Sequence, residues 1–170
     1  MILQVLMVSL MAALPPSSSV VPGKAYSDEW GRSDSVALLR VHGDVTNPLS
    51  VSFAELAALP HHEVQWEVHD HTNSYRGVAL GELLVQAGAP EGRDLLRSVV
   101  FARGADGYEV IFALAELSAD FTDRVVLIAD AFEGGPLPAE EGPLRLVVPW
   151  EKRGARSVRQ ISEIEVRILP

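Results

Sequence analysis

Between Gly142 and Arg159 the sequence reads GPLRLVVPWEKRGARSVR, which sets Arg145, Lys152, Arg153, Arg156 and Arg159 against a single acid, Glu151. The whole chain carries 14 Lys and Arg against 23 Asp and Glu, a formal net charge of −9. A cationic island on an acidic protein points to a local anion site. Because the protein as a whole repels polyanions, an anionic partner has to be held by short-range pairing and hydrogen bonds. The competing reading is a solvated loop in which Lys152, Arg153 and Arg156 pair with acids such as Glu140 and Glu141, which needs no ligand.

A second group with chemical potential lies between Glu63 and His71. Val64, Trp66 and Val68 alternate with Glu63, Gln65, Glu67, His69 and His71, the pattern of a half-buried strand with one polar face. His69 and His71 on one strand face would let two imidazoles converge on a metal, with Glu67 as a possible third ligand. An exposed polar face explains the same residues without metal. His61 and His62 follow Pro60 and read as loop residues. Trp66 reads as core, although an exposed aromatic platform for a ring ligand is the alternative, and Tyr108, after the Asp106-Gly107 turn, reads as packed core.

Other chemistries lack support. There is no GxSxG elbow, no phosphate-cradling GxxxxGK[ST] and no HExxH, so hydrolase, nucleotide-binding and metalloprotease readings have no motif to rest on. The cysteine count is 0, which removes disulfides, thiolate catalysis, thiolate metal ligation and any cysteine-linked haem motif from this chain. The acidic balance argues against nucleic acid as a partner, since phosphate neutralisation dominates that binding.

The elements that position these residues are short. Strand-like runs span Val36 to Val41, Glu63 to His71, Arg97 to Arg103, Tyr108 to Ala113, Val125 to Ala131, Leu144 to Val148 and Ile164 to Ile168. Ser52 with Glu55 three residues later predicts a capped helix over Phe53 to Ala58, ended by Pro60. Leu80, Leu83, Leu84 and Ala87 share one face of a helix expected over Val78 to Ala87, with Gly88 as its stop. Leu114 to Leu117 reads as a short helical turn. Many short strands with two or three short helices make an α+β fold with a strand-rich core.

At 170 residues the chain suits one globular domain. Met1 to Leu14 is uncharged and mostly apolar, followed by Pro15, Pro16 and a serine run, too short for a membrane helix of about 20 apolar residues and closer to a secretory h-region. The expected organisation is a cleaved signal peptide over 1–25, a linker over 26–35 and the domain over 36–170, with periplasmic or secreted localisation and no membrane span after cleavage. Cleavage would remove Lys24 and no acid, leaving the chain still more acidic.

The segment Leu127 to Arg159 resembles the cofactor-binding region of the sulfite oxidase family of molybdopterin enzymes. Leu127-Ile128-Ala129-Asp130 and Gly134-Gly135-Pro136-Leu137-Pro138 match its "LLAYxxNGxPLP" stretch. Gly142 through Pro149, followed by Gly154-Ala155-Arg156-Ser157-Val158-Arg159, matches its "PxRVVVPGxxGARxVKW" stretch. Gly77-Val78-Ala79-Leu80 with Leu83-Leu84 looks like the "GVPLxxLL" helix of small family members, so the resemblance covers roughly residues 36 to 168.

The resemblance implies the sulfite-oxidase-type molybdopterin-binding fold, a bound molybdopterin cofactor, and Arg145, Arg156, Ser157 and Arg159 as its contacts. Arginine forks pair bidentately with phosphate and Gly154 permits close backbone approach, so this spacing would serve a dianion. Arg159 replaces the usual lysine, keeping the charge with a different geometry. Two departures are larger. The family ligates molybdenum through a cysteine between the strand at Val64 to Val68 and the helix near Leu80, where this chain has His69, Asp70 and His71. The family's active-site tyrosine aligns with Asp130, an acid that would repel an oxyanion such as sulfite. Trp150, where the family commonly has glycine, is expected to plug the cofactor pocket.

The sequence therefore implies an exported molybdopterin-binding-like domain, oxidoreductase-like, whose reactive centre departs from sulfite oxidation of the usual kind. The alternative is a non-catalytic periplasmic binding or interaction module of the same fold. A small anionic ligand or cofactor is the expected partner. The residues name no catalytic group and no redox partner protein.

Overall fold

In a computed structural model of the chain, residues 37–68 and 71–170 are described. The expected signal peptide, the linker and His69 lie outside them. Ser98–Gly104 alternates buried with half-buried residues, and its neighbour Glu109–Ala113 alternates exposed with buried ones, the period-two signature of strands with one face in a core. In chain order the elements are β1 (Ala37–Gly43), β2 (Leu49–Ser52), α1 (Phe53–Ala58), β3 (His62–Val68), β4 (His71–Ala79), α2 (Leu80–Gln86) and α3 (Gly92–Leu96). Then follow β5 (Ser98–Gly104), β6 (Glu109–Ala113), β7 (Leu127–Phe132), β8 (Gly135–Pro136), β9 (Arg145–Val147) and β10 (Ile161–Ile168), with 3-10 turns at Leu114–Leu117 and Gly154–Arg156.

Two sheets result. One has the order β2-β1-β10-β5-β6, with β1 and β10 parallel and Val41 opposite Ile164. The other has the order β3-β4-β7-β8, with β9 also paired to β7. The main core joins them: Leu39, Val41, Val100, Phe112, Ile164 and Val166 from the first sheet meet Val78, Ile128 and Leu146 from the second, closed by Leu56 of α1 and Leu80, Leu83 and Leu84 of α2. Full burial of each such side chain contributes about 1.5–3 kcal/mol. A smaller cluster of Trp66, Tyr75, Leu127, Ala129, Leu137 and Val147 covers the opposite face of the second sheet. β7 thus buries both faces, Ile128 inward and Leu127 and Ala129 outward, which explains why it reads as a continuous apolar run.

The capped helix forms as its spacing requires. Ser52 Oγ accepts from the Glu55 N–H at 3.3 Å and Glu55 Oε2 accepts from the Ser52 N–H at 2.8 Å. The helix expected from Val78 begins two residues later, because Val78 and Ala79 are the end of β4, paired with Ile128 and Leu127. β4 itself carries little pattern in the sequence. It forms because β3 and β7 pair with it on both sides, and Gly77 lets β7 come close: a Cβ there would lie 2.1 Å from the Ile128 carbonyl oxygen.

The single strand expected from Glu63 to His71 is two. β3 ends at Val68, His71 opens β4 and the two residues pair across the hairpin. His69, the expected metal partner of His71, lies outside the described residues. His71 is exposed, and no group of three or more His, Asp and Glu among the described residues is placed to hold a metal ion.

Candidate functional site

The second cluster opens on a cleft of about 470 Å3, lined among others by Trp66, Asn73, Tyr75, Tyr108, Arg145 and Arg159. Arg145 is opposite Ala129 in the β9–β7 register and so faces the same side of the sheet as Leu127 and Ala129. Only 7% exposed, its guanidinium lies over the rings of Trp66 at 5.2 Å and Tyr75 at 5.3 Å. A cation held against two aromatic faces is stabilised where water is largely excluded. Nη1 donates to the Tyr75 hydroxyl at 3.0 Å and pairs with the Glu141 carboxylate. Nε is buried without a partner, and Nη2 makes no hydrogen bond with the described residues. This is the edge through which a guanidinium takes an oxyanion bidentately.

The neighbouring loop is tied down on several sides. Trp66 Nε1 donates to the Glu151 carbonyl at 3.0 Å, and a Cβ on Gly154 would lie 2.9 Å from Trp66 Cη2, so glycine is what lets this loop lie on the indole. The Val148 N–H donates to Ser157 Oγ at 3.1 Å and the Leu146 N–H to the Val158 carbonyl at 2.8 Å, binding the segment after β9 to the one before β10. Arg159 is exposed and makes no hydrogen bond or ion pair with the described residues. Burial pushes the Tyr75 phenol above its ordinary value of 10.0, with Arg145 and Arg159 acting in the opposite sense, so it stays protonated at neutral pH.

Arg145, Ser157 and Arg159 line this one cleft. Arg156 does not: it pairs with Glu151 at 2.6 Å and Glu116 at 2.9 Å and lies 4.6 Å from the Phe112 ring centre. It clamps the loop against the 3-10 turn after β6. Trp150 does not plug the cleft either. It packs on the main core with the Arg124 guanidinium 5.6 Å from its ring centre. Tyr108, expected in the core, is 49% exposed and stands at the cleft, its hydroxyl donating to the Ala155 carbonyl at 2.5 Å. The turn at Asp106 and Gly107 aims it outward, and nothing in its local sequence separates that outcome from packing.

Asp130 faces away from the cleft. Its strand neighbours Ala129 and Ala131 lie on the other side of β7, and its Oδ2 lies 2.9 Å from His61 Nε2, with both side chains under a tenth exposed. His61, expected in a loop, thus forms a buried pair that the sequence did not signal; the carboxylate is not placed to repel a ligand at Arg145.

Residues 33–168 match the sequence profile of the oxidoreductase molybdopterin binding domain. The chain belongs to that family. Among curated proteins, this molybdopterin-binding domain is 30% identical over 118 residues to the uncharacterized oxidoreductase YuiH of Bacillus subtilis (strain 168), covering 65% of this chain and 56% of that one. The chain thus spans about half the length of that relative. Among solved structures it is similar to the sulfane dehydrogenase SoxCD from Paracoccus pantotrophus, with a TM-score of 0.63 and 24% identity over 78% of this chain and 38% of that one. That likeness concerns the fold, which is the strand-rich sulfite-oxidase type.

The described residues of this molybdopterin-binding domain fit the anionic end of the cofactor. The unpartnered edge of Arg145 and the unpaired charge of Arg159 suit phosphate oxygens, and the Tyr108 ring offers an exposed aromatic face nearby. No cysteine exists in the chain to supply a thiolate.

Proposed function

We propose that this domain is exported and holds the phosphate-bearing end of molybdopterin in the cleft beside β9. Arg145 and Arg159 pair with the phosphate, and Ser157 with its neighbouring N–H groups orients it. The observation that carries this reading is the buried Nε of Arg145, a charged donor with no partner, in a family defined by this cofactor. When bound, the cofactor supplies redox chemistry, while the protein contributes binding, orientation and electrostatics. Arg156 has no part in holding the phosphate, being committed to Glu116 and Glu151. Without a cysteine, sulfite oxidation of the usual kind is not the proposed activity.

Protein purified from its native compartment tests this. Releasable pterin near one equivalent per chain is expected for wild type, and its loss in the combined Arg145→Met and Arg159→Gln variant. Wild-type protein without pterin would overturn the reading. The absent thiolate favours a second reading, a non-catalytic binding module of the same fold, which pterin occupancy without molybdenum or redox turnover would support. Fractionation of cells expressing the tagged full chain tests export: the shortened form is expected outside the cytoplasm.

A further inference from the structure

Arg145 comes with a resident counter-ion. Glu141, four residues earlier, pairs with Nη1, and its side chain is only 16% exposed against 9% for the arginine. Its backbone is held as well, with Glu141 N–H donating to the Pro138 carbonyl at 2.9 Å and Gln160 N–H to the Glu141 carbonyl at 2.8 Å. Asp106 adds a second acid to the cleft lining, its Oδ1 accepting from the Tyr108 N–H at 2.9 Å. The charges of Arg145 and Arg159 are thus balanced by Glu141 and Asp106 before any ligand enters.

A free inorganic dianion would gain hydrogen bonds at the unpartnered edge of Arg145 but would meet the Glu141 carboxylate on the same guanidinium, and like charges held close repel. A phosphoryl group joined to a planar heterocycle has a second source of binding in the exposed Tyr108 ring. We propose that Glu141 sets an affinity threshold for this cleft: it weakens every phosphoryl ligand at Arg145, so that free inorganic oxyanions such as phosphate and sulfate are not retained while a phosphoryl group carried on a planar heterocycle, with the Tyr108 ring as a second anchor, is. This rests on the reading that the cleft takes the anionic end of a pterin.

The test compares inorganic phosphate with 6-hydroxymethylpterin monophosphate, using calorimetry for the first and pterin fluorescence anisotropy for the second, on the full chain. Glu141→Gln removes the charge yet still offers an amide oxygen to Arg145. It is expected to bind inorganic phosphate about tenfold or more tightly than wild type, and the pterin monophosphate more tightly by a similar factor, so that the free anion is now retained. Glu141→Asp, which keeps the charge and draws it back by one methylene, should fall between the two. It also serves if the glutamine variant does not fold. Adding Arg145→Met should remove phosphate binding from the Glu141→Gln protein. Unchanged phosphate affinity in Glu141→Gln with pterin binding intact would overturn the role of Glu141 and leave the cofactor reading standing. Failure of wild type and variants to bind either probe would overturn both.

Discussion

Replacing Asp130 with asparagine alters one charge inside the protein while keeping its shape. Both ring nitrogens of His61 face acceptors, Nδ1 at 2.8 Å from the Leu59 carbonyl and Nε2 at 2.9 Å from Asp130 Oδ2, an arrangement that the protonated ring satisfies with both of its N–H groups. The hydrogen bond to Asp130 raises the His61 pKa above its ordinary 6.5, against the opposing effect of burial. A group whose pKa is raised by folding adds stability that is fully present below its unfolded pKa and lost as pH climbs through the folded one. Asparagine can donate its amide N–H to Nε2 while Nδ1–H stays on Leu59, which satisfies neutral His61 and penalises the charged ring. A charge-assisted hydrogen bond contributes about 1.5–3 kcal/mol and a neutral one about 0.5–1.5, so Asp130→Asn should cost about 1–2 kcal/mol at about pH 5.5. Above the folded pKa of His61 the wild-type ring has lost its proton and turns a lone pair toward the carboxylate, so the deficit should close or reverse as pH climbs through that folded pKa. Urea unfolding midpoints measured in small pH steps, with m-values checked for constancy, give the curve. A deficit that stays the same across this range would refute the imidazolium pairing.

Three further outcomes follow from the same geometry. Arg156→Gln should leave pterin phosphate binding within about twofold and cost about 0–1 kcal/mol, because this partly exposed arginine is committed to Glu116 and Glu151; a loss of binding matching that of Arg145→Met would contradict the placement. Gly154→Ala drives a methyl group into Trp66 and should cost about 1–3 kcal/mol, with a changed tryptophan signal in near-ultraviolet circular dichroism. Ser52→Ala removes one half of the capping box and should lower stability by about 1 kcal/mol in chemical denaturation, with α1 losing amide-exchange protection.

The features legible in the sequence were those with a local cause. Ser52 and Glu55 are three residues apart and cap each other, so their spacing carried the information. The apolar run of β7 and the leucines of α2 likewise announced themselves by composition and period. β4 did not, because Thr72 to Gly77 becomes a strand only through β3 and β7 on either side of it. At the site, the motif spacing singled out Arg145, Ser157 and Arg159, which line one cleft, and Arg156, which does not. Adjacent residues in a 3-10 turn point in different directions, and the partners that settle Arg156, Glu116 above all, lie far away in sequence. The exposure of Tyr108 and the burial of the loop residue His61 were illegible for the same reason: both depend on what the tertiary fold sets beside them.

The parallel pairing of β1 with β10 bears on how the molecule assembles. During synthesis β1 can pair with β2 and β5 with β6, yet the two pairs have no contact within the sheet until β10 enters between them. Contacts spanning so much sequence are late and slow to form, because the loop must close before they repay its entropy. Ser157 and Arg159 immediately precede this strand, so the cleft is completed in the same event that closes the sheet. An unfinished chain would therefore expose its core edge and lack its ligand seat together, and nascent protein would have no means of capturing the ligand early.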